Sequence, residues 1–429
     1  MPLGLYSSVP FCRTKCTYCN FASDVFSKAV FQKYVDRICR DVEQARAVAG
    51  EMGGRFERTV DSIYLGGGTP TVLDIAQLER IFVTLSQIFD VAADAEITVE
   101  CAPGTLTDEM IACLRRCGVN RVSLGVQSFV DQEAASVGRL HKRDTVLDDI
   151  ARLRSAGITD LNVDLIAGLP HQTKDSWEFS LAQTIATAVP HVSVYMLEVD
   201  EDSRLGRELI AGGTKYHAHF VPNEDLVADM YLMACERLEA GDSSSSAQAQ
   251  RGISNPAVAA ELQAPRRSGP RDDHTLKQYE ISNFARPGFE SRHNLKYWTR
   301  QPYLGFGVDA HSMLAGRAPG IDAVRFSTPD SLEEYVAAQA GKKTDVDRRA
   351  ALEETFFLGL RLNTGIDLDA VARRFGEEAL AAFSPPIAES VEHGLLEKQG
   401  SVIRLTSRGR LLSNEVFARI LAVPQPSGV

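Results

Sequence analysis

A partial six-unit β/α barrel followed by a smaller, mostly helical domain with a hairpin wing is the α/β fold this sequence predicts. Three observations carry it. Short β-rich runs alternate with helix-period stretches over residues 3–198, the alternation occurs six times rather than the eight of a closed barrel, and beyond residue 330 the pattern turns helical with one hairpin-like interruption.

The strand candidates are residues 3–8, 60–65, 96–100, 121–126, 161–166 and 192–197, and amphipathic helical segments fall between them at 29–49, 74–89, 108–117, 144–155 and 174–187. Strands separated by helices imply a parallel sheet with right-handed crossovers. An open doubly wound sheet is the alternative on pattern alone. Residues 241–276 are rich in Ser, Ala, Gln, Pro and Arg with no hydrophobic period and are read as a mobile surface insertion. Order returns at 278–284, and residues 394–412 (GLLEKQGSVIRLTSRGRLL) read as helix end, hairpin and helix. The expected organisation is a barrel domain over 1–240, a flexible insertion over 241–277, a segment completing the core over 278–325, and a helical, winged-helix-like domain over 326–429.

With 429 residues, 44% of them hydrophobic, the chain is long enough to bury one large core and a smaller second one. A net charge of −11 makes it a poor partner for nucleic acid or an anionic membrane surface. The N-terminus lacks the charged start and apolar run of a signal peptide, and no window is apolar enough to span a membrane, so a cytoplasmic location is expected. Eight cysteines are too few for a disulfide scaffold. Three of them cluster, and the other five sit in apolar or helical surroundings.

Cys12, Cys16 and Cys19 stand in the spacing C-x3-C-x2-C, on a loop that follows the first strand. Soft thiolates suit iron–sulfur clusters, and three of them leave the fourth iron of a cubane with an open position where a small molecule can bind. A zinc site is the alternative, but it wants a fourth ligand, and residues 11–20 contain no other Cys, His, Asp or Glu. Gly66-Gly67-Gly68-Thr69-Pro70 follows the second strand, where glycines let the backbone approach a ligand closely. Glu100, Gln127 and Asp164 fall at or near the C-terminal ends of later strands, where barrel-type proteins place their sites.

The cysteine spacing, with an aromatic residue just before the third cysteine, resembles the signature of the radical S-adenosylmethionine (SAM) superfamily. A longer series in one order (VPFCRTKCTYCNF, DSIYLGGGTPT, GVNRVSLGVQSF, GRLH, LNVDLIAGLPHQT, YEISNFARPG, HNLKYW, YLGFGVDAHS) is similar to its oxygen-independent coproporphyrinogen dehydrogenase-like family. The resemblance implies a [4Fe-4S] cluster on Cys12, Cys16 and Cys19, and SAM held by Tyr6, Gly67, Gly68, Thr69, Glu100, Gln127, Arg139 and Asp164, with Arg139 on the methionyl carboxylate.

Within that family three features favour the heme-chaperone branch over the dehydrogenase. Phe21 stands where the dehydrogenase has a further cysteine, the chain begins only a few residues before Tyr6, and HNLKYW matches the HNxxYW element of heme-binding relatives. The resemblance then implies heme bound through His293, Asn294, Tyr297 and Trp298, with His311 as a second-choice iron ligand. An imidazole is a good axial ligand for heme iron, and Tyr and Trp faces offer flat apolar surface to a porphyrin. Without the family, His293 and Asn294 could equally satisfy backbone groups beside an aromatic core. The partners implied are heme and acceptor hemoproteins, respiratory enzymes among them. No nucleic acid is implied, membrane association is peripheral and through a partner, and monomer and homodimer are both left open. The alternative function is oxidative decarboxylation of coproporphyrinogen III, which makes the chain either a chaperone or an enzyme.

Overall fold

Each of the six apolar runs becomes a strand: β1 (Leu3–Val9), β2 (Thr59–Gly67), β3 (Asp90–Cys101), β4 (Arg121–Gln127), β5 (Asp160–Ala167) and β6 (His191–Met196). The structure, a computed structural model, describes residues 1–198, 200–240, 275–337 and 341–423. All but the last residues of the expected insertion lie outside that range. The six strands are parallel and neighbour one another in chain order. A doubly wound sheet would reverse its strand order at a switch point; no reversal occurs here, so the architecture is the partial barrel.

The helices between the strands start where the sequence caps them. Thr107 accepts the Met110 amide at the start of the helix Asp108–Arg116, which has Asp108 and Glu109 in its first turn and Arg115 and Arg116 in its last, both favourable to the helix dipole. Thr173 and Ser176 form a capping box for the helix Lys174–Ala186.

The sheet extends beyond the expected six strands. Past β6 lie β8 (Asn283–Ala285) and β7 (Lys277–Gln278), antiparallel to their neighbours; past β1 lies β9 (Tyr303–Phe306), parallel to it, followed by the antiparallel β10 (His311–Ala315), β11 (Ile321–Ser327) and β12 (Lys343–Asp347). The whole is a twelve-stranded sheet. Most of these additions escape a periodicity reading because they are short, β11 because it is only partly buried along most of its length, and β12 because it is almost wholly exposed, with only Val346 of Lys-Thr-Asp-Val-Asp buried. A polar edge strand shows no apolar alternation and is disfavoured for edge-to-edge pairing, which is its use.

The C-terminal part is helical around a three-stranded sheet in the order β13 (Ile366–Asp367), β15 (Val402–Leu405), β14 (Leu396–Gln399); β14 and β15 are the expected hairpin, and the short β13 is an addition to it. Its apolar core, centred on Leu352, Phe356, Phe383 and Ile420, also takes in Met313, Ala323 and Val346 from the sheet extension. Buried Arg300 reinforces the junction, pairing with Glu354 (2.8 Å) on the helix Arg348–Gly359 and with Asp322 (3.1 Å) on β11. Among the described residues no helix is long and apolar enough to cross a membrane.

Candidate functional site

The parallel register brings the C-terminal ends of β1 to β6 around one cavity of about 1020 Å³. Cys12, Cys16, Cys19, Gly67, Gly68, Thr69, Glu100, Gln127, Arg139 and Asp164, spread over 153 positions of sequence, all line it. Tyr6 faces an adjoining cleft that shares Phe21 and Gly67 with the cavity.

The cysteine loop is held by bonds that do not involve its thiols. The Cys12 amide donates to Asp24 O, the Thr17 amide to Val137 O and the Thr14 hydroxyl to Gly138 O, while Lys15 Nζ donates to the carbonyls of Phe21 and Ser23. Near the thiols are hydroxyls: Thr69 Oγ1 lies 3.9 Å from Cys12 Sγ and Ser23 Oγ 3.8 Å from Cys19 Sγ. Among the described residues no three His, Cys, Asp or Glu side chains are placed around a single metal ion. Three thiols on one loop facing a cavity are a soft donor set of the kind that suits an iron–sulfur cluster.

The glycine loop is packed against β1. A Cβ on Gly68 would sit 2.6 Å from Val9 O and 2.9 Å from Phe11 O, so only glycine lets this backbone pass the root of the cysteine loop. Gly67, at φ +90°, donates its amide to Glu100 Oε2 (3.1 Å), and Tyr64 donates its hydroxyl to Glu100 Oε1 (2.8 Å). Farther round, Asp164 accepts from Ser123 Oγ (2.9 Å) and Asn162 Nδ2 (2.7 Å). Gln127 holds the left-handed conformation (φ +69°), rare for a residue with a side chain and concentrated at functional sites. Arg139 lays its guanidinium over Gly125, donating from Nη2 to the carbonyl (2.7 Å), and its Nε is buried without a partner, a donor left for a ligand.

Burial pushes the Glu100 carboxyl up to about 7 and also raises Asp164 above the usual carboxylate range. A group whose folded-state pKa is raised holds its proton longer than in the unfolded chain, so its contribution favours the fold at low pH and is lost as pH rises from about 4.5 to 7. Glu100→Gln removes the buried charge. The melting temperature of the metal-free variant should exceed that of wild type most near pH 8, by an amount corresponding to at most about 3 kcal/mol, with the gap closing near pH 5. A gap that does not change with pH would show that the charge is not confined.

The segment that carries HNLKYW forms a short helix, Arg292–Trp298, whose first amides are capped by Glu96: its carboxylate accepts from the amides of Arg292 (2.9 Å) and His293 (3.0 Å). His293 is 1% exposed, stacks on Tyr64, and has both ring nitrogens engaged, Nδ1 with Ser62 Oγ (3.0 Å) and Nε2 with Tyr297 OH (2.9 Å). Burial, then the nearby Lys296, pulls its pKa down to about 3. Trp298 lies under the Arg361 guanidinium (4.4 Å). His293 is thus enclosed, whereas Asn294, Tyr297 and Trp298 are half-buried. Of the four, Tyr297 reaches the cleft that Tyr6 faces.

Residues that local motifs did not point to also surround the site. Arg361 and Arg410 reach the large cavity from the C-terminal part, and Tyr195 from the end of β6. Asn162, two residues before Asp164 on the same face of β5, joins Ser123, Asp164 and Ser193 in one buried network, a pairing that strand alternation alone would have suggested.

A partial β/α barrel with three thiols on the loop after its first strand defines a radical SAM protein. In accord with this, residues 6–182 match the family described as Radical SAM superfamily and residues 346–412 the family described as HemN C-terminal domain. Along nearly its whole length the chain is 30% identical to the heme chaperone HemW of Bacillus subtilis (97% of this chain, 98% of that one) and 27% identical to that of Escherichia coli (98% of both). The solved structure of coproporphyrinogen III oxidase (HemN) from Escherichia coli, at 22% identity, superimposes with a TM-score of 0.74 over 98% of this chain and 90% of that one, a likeness of fold. The chain belongs to the HemW family within the radical SAM superfamily.

Proposed function

We propose that the protein binds heme and passes it to an acceptor hemoprotein in the cytoplasm, and that it carries a [4Fe-4S] cluster on Cys12, Cys16 and Cys19. The observation that carries the reading is the near-full-length likeness to heme chaperones of several bacteria. When bound, the cluster would supply an electron and an open iron for SAM. Gly67, Gly68 and Thr69 suit the amino-acid end of that molecule, Arg139 its carboxylate, and Glu100, Gln127 and Asp164 its remaining polar groups, as their shared cavity and unpaired or burial-strained polar atoms support, with Tyr6 at its edge in the adjoining cleft. Phe21, 66% exposed on the cysteine loop, favours heme handling over decarboxylation, because a thiol there would mark the dehydrogenase.

Purified full-length protein titrated with hemin should develop a Soret band that saturates at low micromolar hemin, and the loaded protein should give up heme to an apo-hemoprotein. Supplied anaerobically with reduced cluster, SAM and coproporphyrinogen III, it should form no protoporphyrinogen IX. Turnover without hemin binding would reverse the reading in favour of the dehydrogenase.

A further inference from the structure

Beside the cysteine loop, sharing Phe21 and Gly67 with the large cavity, lies a cleft of about 310 Å³ lined by Tyr6, Phe21, Tyr297, Tyr303, Asp309 and His311, among others. We infer that heme is taken up in this cleft with His311, rather than His293, as its iron ligand. The inference rests on the heme-binding reading and deepens it by placing the ligand.

The two histidines differ in what their rings are free to do. His293 has no free nitrogen, and to reach an iron it would have to break its bonds to Ser62 and Tyr297 and leave a buried stack on Tyr64. Each buried polar group left unpaired would cost roughly 1–3 kcal/mol. His311 opens β10 with a side chain 68% exposed, and the ring contact it makes is to a carboxylate: Nε2 lies 3.6 Å from Asp309 Oδ1. At 3.6 Å this contact is longer than a hydrogen bond, so Asp309 leaves the His311 ring free to turn a nitrogen toward iron.

The walls suit a porphyrin. Tyr297 and Tyr303 meet edge to face, with ring centroids 4.6 Å apart, and Phe21 presents an exposed phenyl ring from the cysteine loop. A solitary exposed phenylalanine needs no explanation, but one bordering an aromatic cleft that also holds an exposed histidine has an evident partner in a flat apolar ligand. The lining contains no Lys or Arg, so a porphyrin would enter by an apolar edge and leave its propionates in water. The volume is at the lower end of small-molecule sites. An open, shallow seat suits a cargo that must leave again. Tyr297 belongs both to the HNLKYW helix and to this cleft, which reconciles the motif with a ligand outside it.

The test is a hemin titration of full-length wild type, His311→Ala, His311→Cys and His293→Gln, each first shown to melt cooperatively. His311→Ala should bind at least tenfold more weakly and lose the wild-type Soret position. His311→Cys should bind with the shifted spectrum of a thiolate ligand, a signature that a structural role for His311 would not produce. His293→Gln should keep the wild-type spectrum. A wild-type spectrum and affinity in His311→Ala, or an unshifted spectrum in His311→Cys, would overturn the assignment while leaving heme binding intact. Absence of hemin binding by wild type would instead remove the heme-binding reading itself.

Discussion

Alanine at any one of Cys12, Cys16 or Cys19 should reduce anaerobic iron–sulfide reconstitution from about four irons per chain to near none, with loss of the visible charge-transfer absorbance. Alanine at Cys113 or Cys117 should change neither. The asymmetry follows from placement: the first three thiols line the large cavity, whereas Cys113 is buried in the core and Cys117 packs against it. The hydroxyls nearest the thiols, those of Thr69 and Ser23, are neutral and weak iron ligands that do not stand in for a lost thiolate. The substitutions should be nearly silent in the stability of the metal-free protein, within about 1 kcal/mol, because the loop is anchored through Thr14, Lys15, Thr17 and the Cys12 amide rather than through sulfur. A variant that keeps a full cluster would refute the ligand set. One that loses the cluster together with its cooperative melt would refute the anchoring.

What was legible in the sequence is what is encoded locally. β1, β4 and β5 announce themselves because they are buried along nearly their whole length. The cysteine and glycine loops announce themselves because their chemistry lies within a few consecutive residues. The rest depends on contacts between distant segments. Glu96 becomes a helix cap only because β3 runs past residues 291–293, nearly 200 positions away. Arg361 and Arg410 join the cavity only because the C-terminal part docks on the barrel. The sequence motif favours His293 and leaves His311 second, and it carries no sign of how each ring is packed. His293 stands beside Tyr297 and Trp298, whereas His311 has no aromatic within four positions, and only the packing of β2, which supplies Ser62 and Tyr64, shows that the first ring is enclosed while the second is open.

The same packing gives the HNLKYW helix a structural task that can be separated from any heme contact. Lys296, its side chain 3% exposed, ion-pairs with Asp61 at the start of β2 (2.6 Å) and donates to Pro2 O (3.0 Å), clamping the helix over β1 and β2. Gly4 of β1 makes room for it, since a Cβ there would meet Lys296 Cδ at 2.8 Å. Lys296→Met keeps the volume but strands the Asp61 carboxylate. Losing one partner of a buried pair costs about 3–5 kcal/mol, and because Asp61 keeps part of its surface in water the expected loss is nearer the lower figure, measured by urea unfolding of the metal-free protein. Adding Asp61→Asn should restore a large share of it, since the stranded charge and not the lost attraction is the main cost. If the double variant is restored in stability and binds hemin as wild type does, this lysine serves the fold. If stability returns and hemin binding does not, the helix takes part in holding heme beyond what Tyr297 contributes from the cleft wall.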